Sequence, residues 1–311
     1  MPSCPSCGRE VAPRVVFCAA CRAAAGTNRS LRAGLALLIL VGASAALLLA
    51  GCGEASSPGP AQHSASAWTS LNQMPASSDL GAVVFPDASH GWAVGAGGTI
   101  VATADRGRHW RTQRSGTDGA LRGVDFIDAQ RGWAVGESGA ILGTADGGVT
   151  WTRQASGTDA DLHGVDFVDA RHGWAAGHSG TIVATIDGGA TWTEQSSGTT
   201  QALEDVCFVD ASNGWAVGGF GTILATEDGG ATWTALRADT KKALGGVDFI
   251  DRKRGWAVGY GGIIIATADG GATWTEERSG TEQPLYNVSF ADVHHGCVVG
   301  EAGTPLVSLE P

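Results

Sequence analysis

The chain has 311 residues, 48 of them glycine and 11 tryptophan, with only 2 tyrosines. Its charge is divided by position: residues 1–53 carry five arginines and one glutamate, whereas residues 54–311 carry 15 basic against 30 acidic side chains. An acidic body of that size argues against a general nucleic-acid binder, which needs a basic surface. Seven cysteines in three separate groups do not form the dense framework of a disulfide scaffold.

Residues 1–25 hold two C-x-x-C pairs, Cys4 with Cys7 and Cys18 with Cys21. Each pair closes a tight turn around two thiolates, and four thiolates make a tetrahedral structural zinc site. So short a segment has no core of its own, so bound Zn²⁺ supplies its folding energy. The pattern resembles the small zinc ribbons that open many bacterial membrane proteins.

Residues 33–51 are uncharged and rich in Leu, Ala and Ile, close to the ~20 residues of a membrane helix. Arg22, Arg29 and Arg32 precede them, which predicts a cytoplasmic N-terminus and an extracytoplasmic remainder in a single-pass protein. A second reading stays open. Leu49-Ala50-Gly51-Cys52 resembles the lipobox of bacterial lipoproteins, in which Cys52 is lipidated and the preceding segment removed. Either reading tethers the rest of the chain to a membrane. Residues 52–66, built of Gly, Ser, Pro, Ala and Gln, predict a flexible linker.

The remainder, 67–311, is repetitive. Trp92, Trp133, Trp174, Trp215 and Trp256 stand 41 residues apart, and the next step lands on Cys297. Trp110, Trp151, Trp192, Trp233 and Trp274 follow the same period. In the third copy, Leu162–Phe167, Trp174–Gly177, Thr181–Thr185 and Trp192–Gln195 alternate as strands between Gly- and Asp-rich turns. A unit of this length with four short strands predicts a propeller blade. The expected fold is all-β, a six-bladed propeller. The last copy reaches its third strand near Pro311, and Ala67-Trp68-Thr69 reads as the missing fourth strand, closing the ring.

Asp187-x-Gly-x-Thr-Trp192 recurs from Asp146, Asp228 and Asp269, with a reduced form at Asp105. In such a turn the carboxylate accepts backbone N–H bonds, glycine takes positive φ, and the indole covers the hairpin. Strict recurrence marks a structural latch. With the Phe126–Gly136 and Phe249–Gly259 runs, these turns resemble the photosystem II assembly and stability factor family, a branch of the Asp-box (BNR) propellers. That resemblance implies a non-enzymatic protein-binding role at a membrane complex. It also implies seven blades, where the count in this chain gives six, and family members lack a zinc ribbon.

Sialidases share Asp-box propellers, which makes a glycoside hydrolase an alternative. Such an enzyme needs an arginine cluster and a tyrosine nucleophile, and the scattered arginines here do not supply the motif. Asp87, Asp128, Asp169, Asp210, Asp251 and Asp292 recur once per copy and are read as framework. A single-span ligand sensor, with the ribbon as its cytoplasmic end, is the other alternative.

Binding is expected where the copies differ on a fixed frame. The turn between second and third strands carries Glu137, His178, Tyr260 and Glu301, with Phe220 beside them. These residues suit a peptide or a small polar ligand, and Glu137, His178 and Glu301 include metal-ligating types. The opposite face carries Arg106, Arg108, Arg111, Arg131, Arg171, Arg252, Lys253 and Arg254, a patch expected to steer an anionic protein partner or to face lipid headgroups.

Overall fold

The computed structural model describes residues 79–301 and 305–309. The zinc ribbon expected at residues 1–25, the apolar segment 33–51, Cys52, the linker expected at 52–66 and the strand expected at Trp68 lie outside the described residues.

Among the described residues six antiparallel sheets succeed one another, five four-stranded and the last three-stranded. Blade 1 comprises Leu80–Val84, Gly91–Gly95, Thr99–Thr103 and Arg111–Gln113; blade 2, Leu121–Phe126, Gly132–Gly136, Ala140–Thr144 and Thr152–Gln154. Blade 3 comprises Leu162–Phe167, Gly173–Gly177, Ile182–Thr185 and Thr193–Gln195; blade 4, Leu203–Phe208, Gly214–Gly218, Ile223–Thr226 and Thr234–Leu236. Blade 5 comprises Leu244–Phe249, Gly255–Gly259, Ile264–Thr267 and Thr275–Glu277; blade 6, Leu285–Phe290, His295–Gly300 and Pro305–Leu309. Strand order within each sheet follows the chain, so every connection is a hairpin. First strands of consecutive blades pack side by side from blade 1 through blade 6, and all six line one central cavity of about 1790 Å³.

The core lies between blades. Trp92, Val94 and Ile100 of blade 1 pack with Leu121, Val124 and Phe126 of blade 2, and the pattern repeats around the molecule. The Gly-Trp pair of the second strand in blades 1 to 5 explains itself here. Each tryptophan stacks face to face on the phenylalanine of the next blade, as in Trp133 on Phe167 with centroids 3.4 Å apart. A Cβ on Gly132 would stand 2.4 Å from the Phe126 ring, so only glycine fits beneath that ring. The indole N–H then crosses to the neighbour's Asp-box: Trp92 Nε1 donates to the Gly147 carbonyl at 3.1 Å and Trp174 Nε1 to that of Gly229 at 2.9 Å. An aromatic stack of this kind contributes about 0.5–1.5 kcal/mol beyond its buried area.

The Asp-boxes are latches, as their recurrence suggests. Asp146 accepts from Thr144 Oγ1 at 2.8 Å, from the Thr150 amide at 2.9 Å and from Thr150 Oγ1 at 2.6 Å. Gly147 and Gly148 take the positive φ that the turn requires. In the reduced first box His109 replaces the threonine, its amide and ring Nδ1 both meeting Asp105. The once-per-blade aspartates are also framework: Asp128 Oδ1 accepts the amides of Gln130 and Arg131 and closes the first hairpin.

Buried and half-buried carboxylates join the inner strands. Asp125 Oδ2 accepts the Phe167 amide at 2.9 Å, Asp166 that of Phe208 at 2.6 Å, and Asp248 that of Phe290 at 2.6 Å. Blade 4 has Cys207 at this position, and Asp205, two residues earlier, bonds the Val247 amide at 3.0 Å instead. Each bridge satisfies a backbone donor that no sheet ladder reaches.

Candidate functional site at the mouth of the channel

The hairpin order sends the two sets of turns to opposite ends of the channel. First-to-second-strand turns and Asp-boxes share one end, where the Gly147 amide donates to the Gln130 carbonyl at 2.8 Å. Second-to-third-strand turns sit at the other end, beside the start of the first strand, where the Glu137 amide donates to the Ala120 carbonyl. Glu137, His178, Tyr260 and Glu301 therefore ring one mouth, with Phe220 on the same rim.

A second ring of non-repeating residues stands against them. Each first strand slips register just after its leading leucine, so that one residue is left out of the pairing. The bulged residues are Gly81, Arg122, His163, Glu204, Gly245 and Tyr286. A β-bulge re-aims its side chain, and here the bulges face the channel mouth. Sequence reasoning missed Arg122, His163, Glu204 and Tyr286. The rule that found the turn residues, namely variation at a fixed repeat position, finds these as well when applied to the first strand.

On blades 2 to 4 the two rings interlock. Arg122 Nη2 meets Glu137 Oε1 at 2.9 Å and Asp161 Oδ2 at 3.7 Å. His178 Nδ1 lies 3.9 Å from Asp161 Oδ2, and the His163 and His178 rings are 4.5 Å apart. His163 Nδ1 meets Glu204 Oε2 at 2.8 Å, and this hydrogen bond holds the Glu204 carboxyl below its usual range. His163 Nε2 is buried without a hydrogen-bond partner among the described residues. On blades 5 and 6, Tyr260 and Tyr286 meet edge to face with centroids 6.5 Å apart. Glu137, His178 and Glu301 do not converge on a metal, and among the described residues no group of three such side chains does.

Phe220 has φ 55 and is 77% exposed. The equivalent positions are Gly97, Ser138, Ser179 and Gly261. A bulky residue in this left-handed region costs on the order of 1 kcal/mol or more, with no burial in return.

At the opposite end half of the expected basic patch is engaged locally. Arg131 pairs with Asp128 at 2.6 Å, Arg254 meets Asp251, and Arg252 Nε meets Asp210 at 2.9 Å. Arg171 Nε donates to the Ile186 carbonyl. The framework aspartates thus offset much of the charge that the linear sequence displays as free. Arg106, Arg108 and Arg111 are exposed on or beside the first Asp-box, and Lys253 is exposed in the blade 5 hairpin.

The family model for the photosynthesis system II assembly factor YCF48 matches residues 60–155 and 195–279. A search of curated proteins returns no match. Among solved structures, one of YCF48 bound to a D1 peptide aligns at 20% identity and a TM-score of 0.52, over 77% of this chain and 94% of that one. The GH74 enzyme of Niastella koreensis aligns at 15% identity and a TM-score of 0.59, over 73% of this chain and 44% of that one. The GH74 xyloglucanase of Xanthomonas campestris aligns at 11% identity with the same TM-score and coverage. The chain spans less than half the length of either GH74 enzyme, and at these identities all three likenesses are of fold. The family match covers more than half of the chain, so the protein belongs to the photosynthesis system II assembly factor YCF48 family.

Proposed function

We propose that the propeller is a non-enzymatic scaffold that binds a segment of a membrane-protein complex at the channel mouth. The observation carrying this reading is the double ring of non-repeating bulge and turn residues on an otherwise repeated frame. Family membership supports a partner that is a protein, and the relative solved with a D1 peptide is an instance of a propeller of this fold holding a peptide. The inner-strand carboxylates, the groups a GH74-like hydrolase would need, accept backbone amides between blades, which favours a structural role for them.

In the same proposal residues 33–51 anchor the protein as a single span. The N-terminus is cytoplasmic, Cys4, Cys7, Cys18 and Cys21 hold one structural zinc, and the propeller is extracytoplasmic. Terminal analysis of the mature protein separates this arrangement from a lipoprotein processed at Cys52. Zinc content of the full chain against Cys4→Ser tests the ribbon.

The central test is crosslinking and capture of the tagged full chain in its native membranes. One stable membrane complex is expected with the wild type and with Arg131→Ala/Arg254→Ala. Capture is expected to fall with a combined mouth variant, Arg122→Ala/His178→Ala/Tyr260→Leu. Equal capture by the mouth variant, or none by the wild type, overturns the reading.

A further inference from the structure

The mouth has two chemically distinct halves. On blades 2 to 4 the cationic Arg122 is already held between Glu137 and Asp161, and His163 is held by Glu204. On blades 5 and 6 the bulge residue is first Gly245, which adds no side chain, and then Tyr286. Both tyrosines of the chain stand at this corner.

Tyr260 is 53% and Tyr286 43% exposed, and their rings are inclined at 79°. They form two walls of a corner open to the channel. The Glu301 amide donates to the Pro284 carbonyl at 2.8 Å, which sets this turn beside the start of the strand that carries Tyr286; partial burial, and then the negative charge of Glu301, push the Tyr286 hydroxyl up. Aromatic faces are themselves negative, so two perpendicular rings beside a carboxylate favour a cation. The charge at the mouth points the same way: Glu137, Asp161, Glu204 and Glu301 outnumber Arg122 and Lys242. Lys242 stands on the same rim, its Nζ donating to the carbonyl of Gly261, the residue after Tyr260, at 3.1 Å. No metal cluster forms among the described residues, and aromatic walls suit a cation carried on an apolar stem.

We propose that Tyr260, Tyr286 and Glu301 form a receptor for one lysine or arginine side chain of the partner segment. Exposed Phe220 contacts an apolar residue beside that side chain. This rests on the mouth being the partner-binding face, and it specifies the chemistry of the partner there.

The test uses the full chain and four fluorescent, end-blocked heptapeptides that differ only at a central arginine, lysine, citrulline or glutamate between two phenylalanines. Fluorescence polarisation is expected to show the arginine and lysine peptides binding about ten-fold tighter than the neutral and acidic ones. Tyr260→Leu and Tyr286→Leu are each expected to weaken the arginine peptide about five-fold, with Tyr→Phe at either site within about two-fold of wild type. Glu301→Gln is expected to weaken it and to flatten its salt dependence. Equal binding of arginine and citrulline peptides, or no effect of either leucine substitution in chains that still melt cooperatively, overturns the proposal. Membrane capture separates the two levels. If Tyr260→Leu/Tyr286→Leu captures the complex as well as wild type while Arg122→Ala/His178→Ala does not, the corner is wrong and the mouth reading stands. If every mouth variant captures it, the mouth reading itself fails.

Discussion

At the scale of single residues, departures from the repeat show what the repeat does. Gln113, Gln154 and Gln195 each end a fourth strand and accept the indole N–H of the next blade's Trp151, Trp192 or Trp233 at 3.0–3.1 Å. The next such position is Leu236, whose Cδ1 would stand 2.6 Å from a Cβ on Gly271. Trp274 Nε1, which the glutamine would have met, is a buried donor without a partner among the described residues. Leu236→Gln is therefore expected to stabilise the protein by about 1 kcal/mol, and Gln154→Leu to destabilise it by about 1–2 kcal/mol. Urea denaturation of the two variants measures both signs. A second residue-level expectation concerns pH. Threonine hydrogen bonds hold the carboxyls of Asp146, Asp187, Asp228 and Asp269 at about 2. Unfolded, these groups bind protons at higher pH, so stability is expected to fall as pH drops from about 4 towards 2. Asp205 has the opposite sign. Burial first, and then the nearby Asp248 and Glu204, push it up to about 7. The folded state then holds a proton that the unfolded state releases, and stability is expected to decline as pH rises from about 4 to 7. Asp205→Asn removes the titration, and a slope over that window unchanged from wild type would refute the assignment.

At the scale of the element, the joint between blades sets the register of everything else. Asp166 reaches across to the buried Phe208 amide, so Asp166→Ala leaves that donor without its acceptor. The expected cost is about 1–3 kcal/mol, read by denaturation; a cost near zero would mean that solvent reaches the joint. This joint also shows what could be read in advance. The strands, the Asp-box latches and the framework aspartates were legible because each recurs every 41 residues, and a period is visible without a structure. The choice of mouth residues was half legible. Glu137, His178, Tyr260 and Glu301 lie in turns, where variation catches the eye. Arg122, His163, Glu204 and Tyr286 lie inside strands that read as ordinary alternation, and only the bulge turns them to the channel. Pairing of the hairpin arginines was legible for Arg131 and Arg254, three residues after Asp128 and Asp251. It was not legible for Arg252, whose partner Asp210 belongs to the preceding blade.

At the scale of the whole molecule, closure of the ring turns on one phenylalanine, Phe290. Five phenylalanines, Phe85, Phe126, Phe167, Phe208 and Phe249, have a fourth-strand tryptophan of their own blade edge-on at 5.8–6.0 Å. Phe290 is stacked on Trp256 with centroids 3.6 Å apart, but no edge-on tryptophan meets it among the described residues. Its sheet has three strands there, and Phe290 is only half-buried while the other five are buried. The sequence offers Trp68, outside the described residues, for that place. It stands 17 residues before Phe85, where every other fourth-strand tryptophan stands 16 before the next phenylalanine. The family match also begins at residue 60, ahead of it. A strand around Trp68 paired onto Pro305–Leu309 would cover the edge of that sheet and join the two ends of the repeat region. Trp68→Ala is expected to cost about 3 kcal/mol or more, in the range of buried tryptophan truncations, with Trp68→Phe costing less. Of two truncated chains, one starting at His63 is expected to keep the stability of the intact propeller, and one starting at Gln73 to lose it. Equal denaturation midpoints for the two would show that the ring is held shut by something other than this strand.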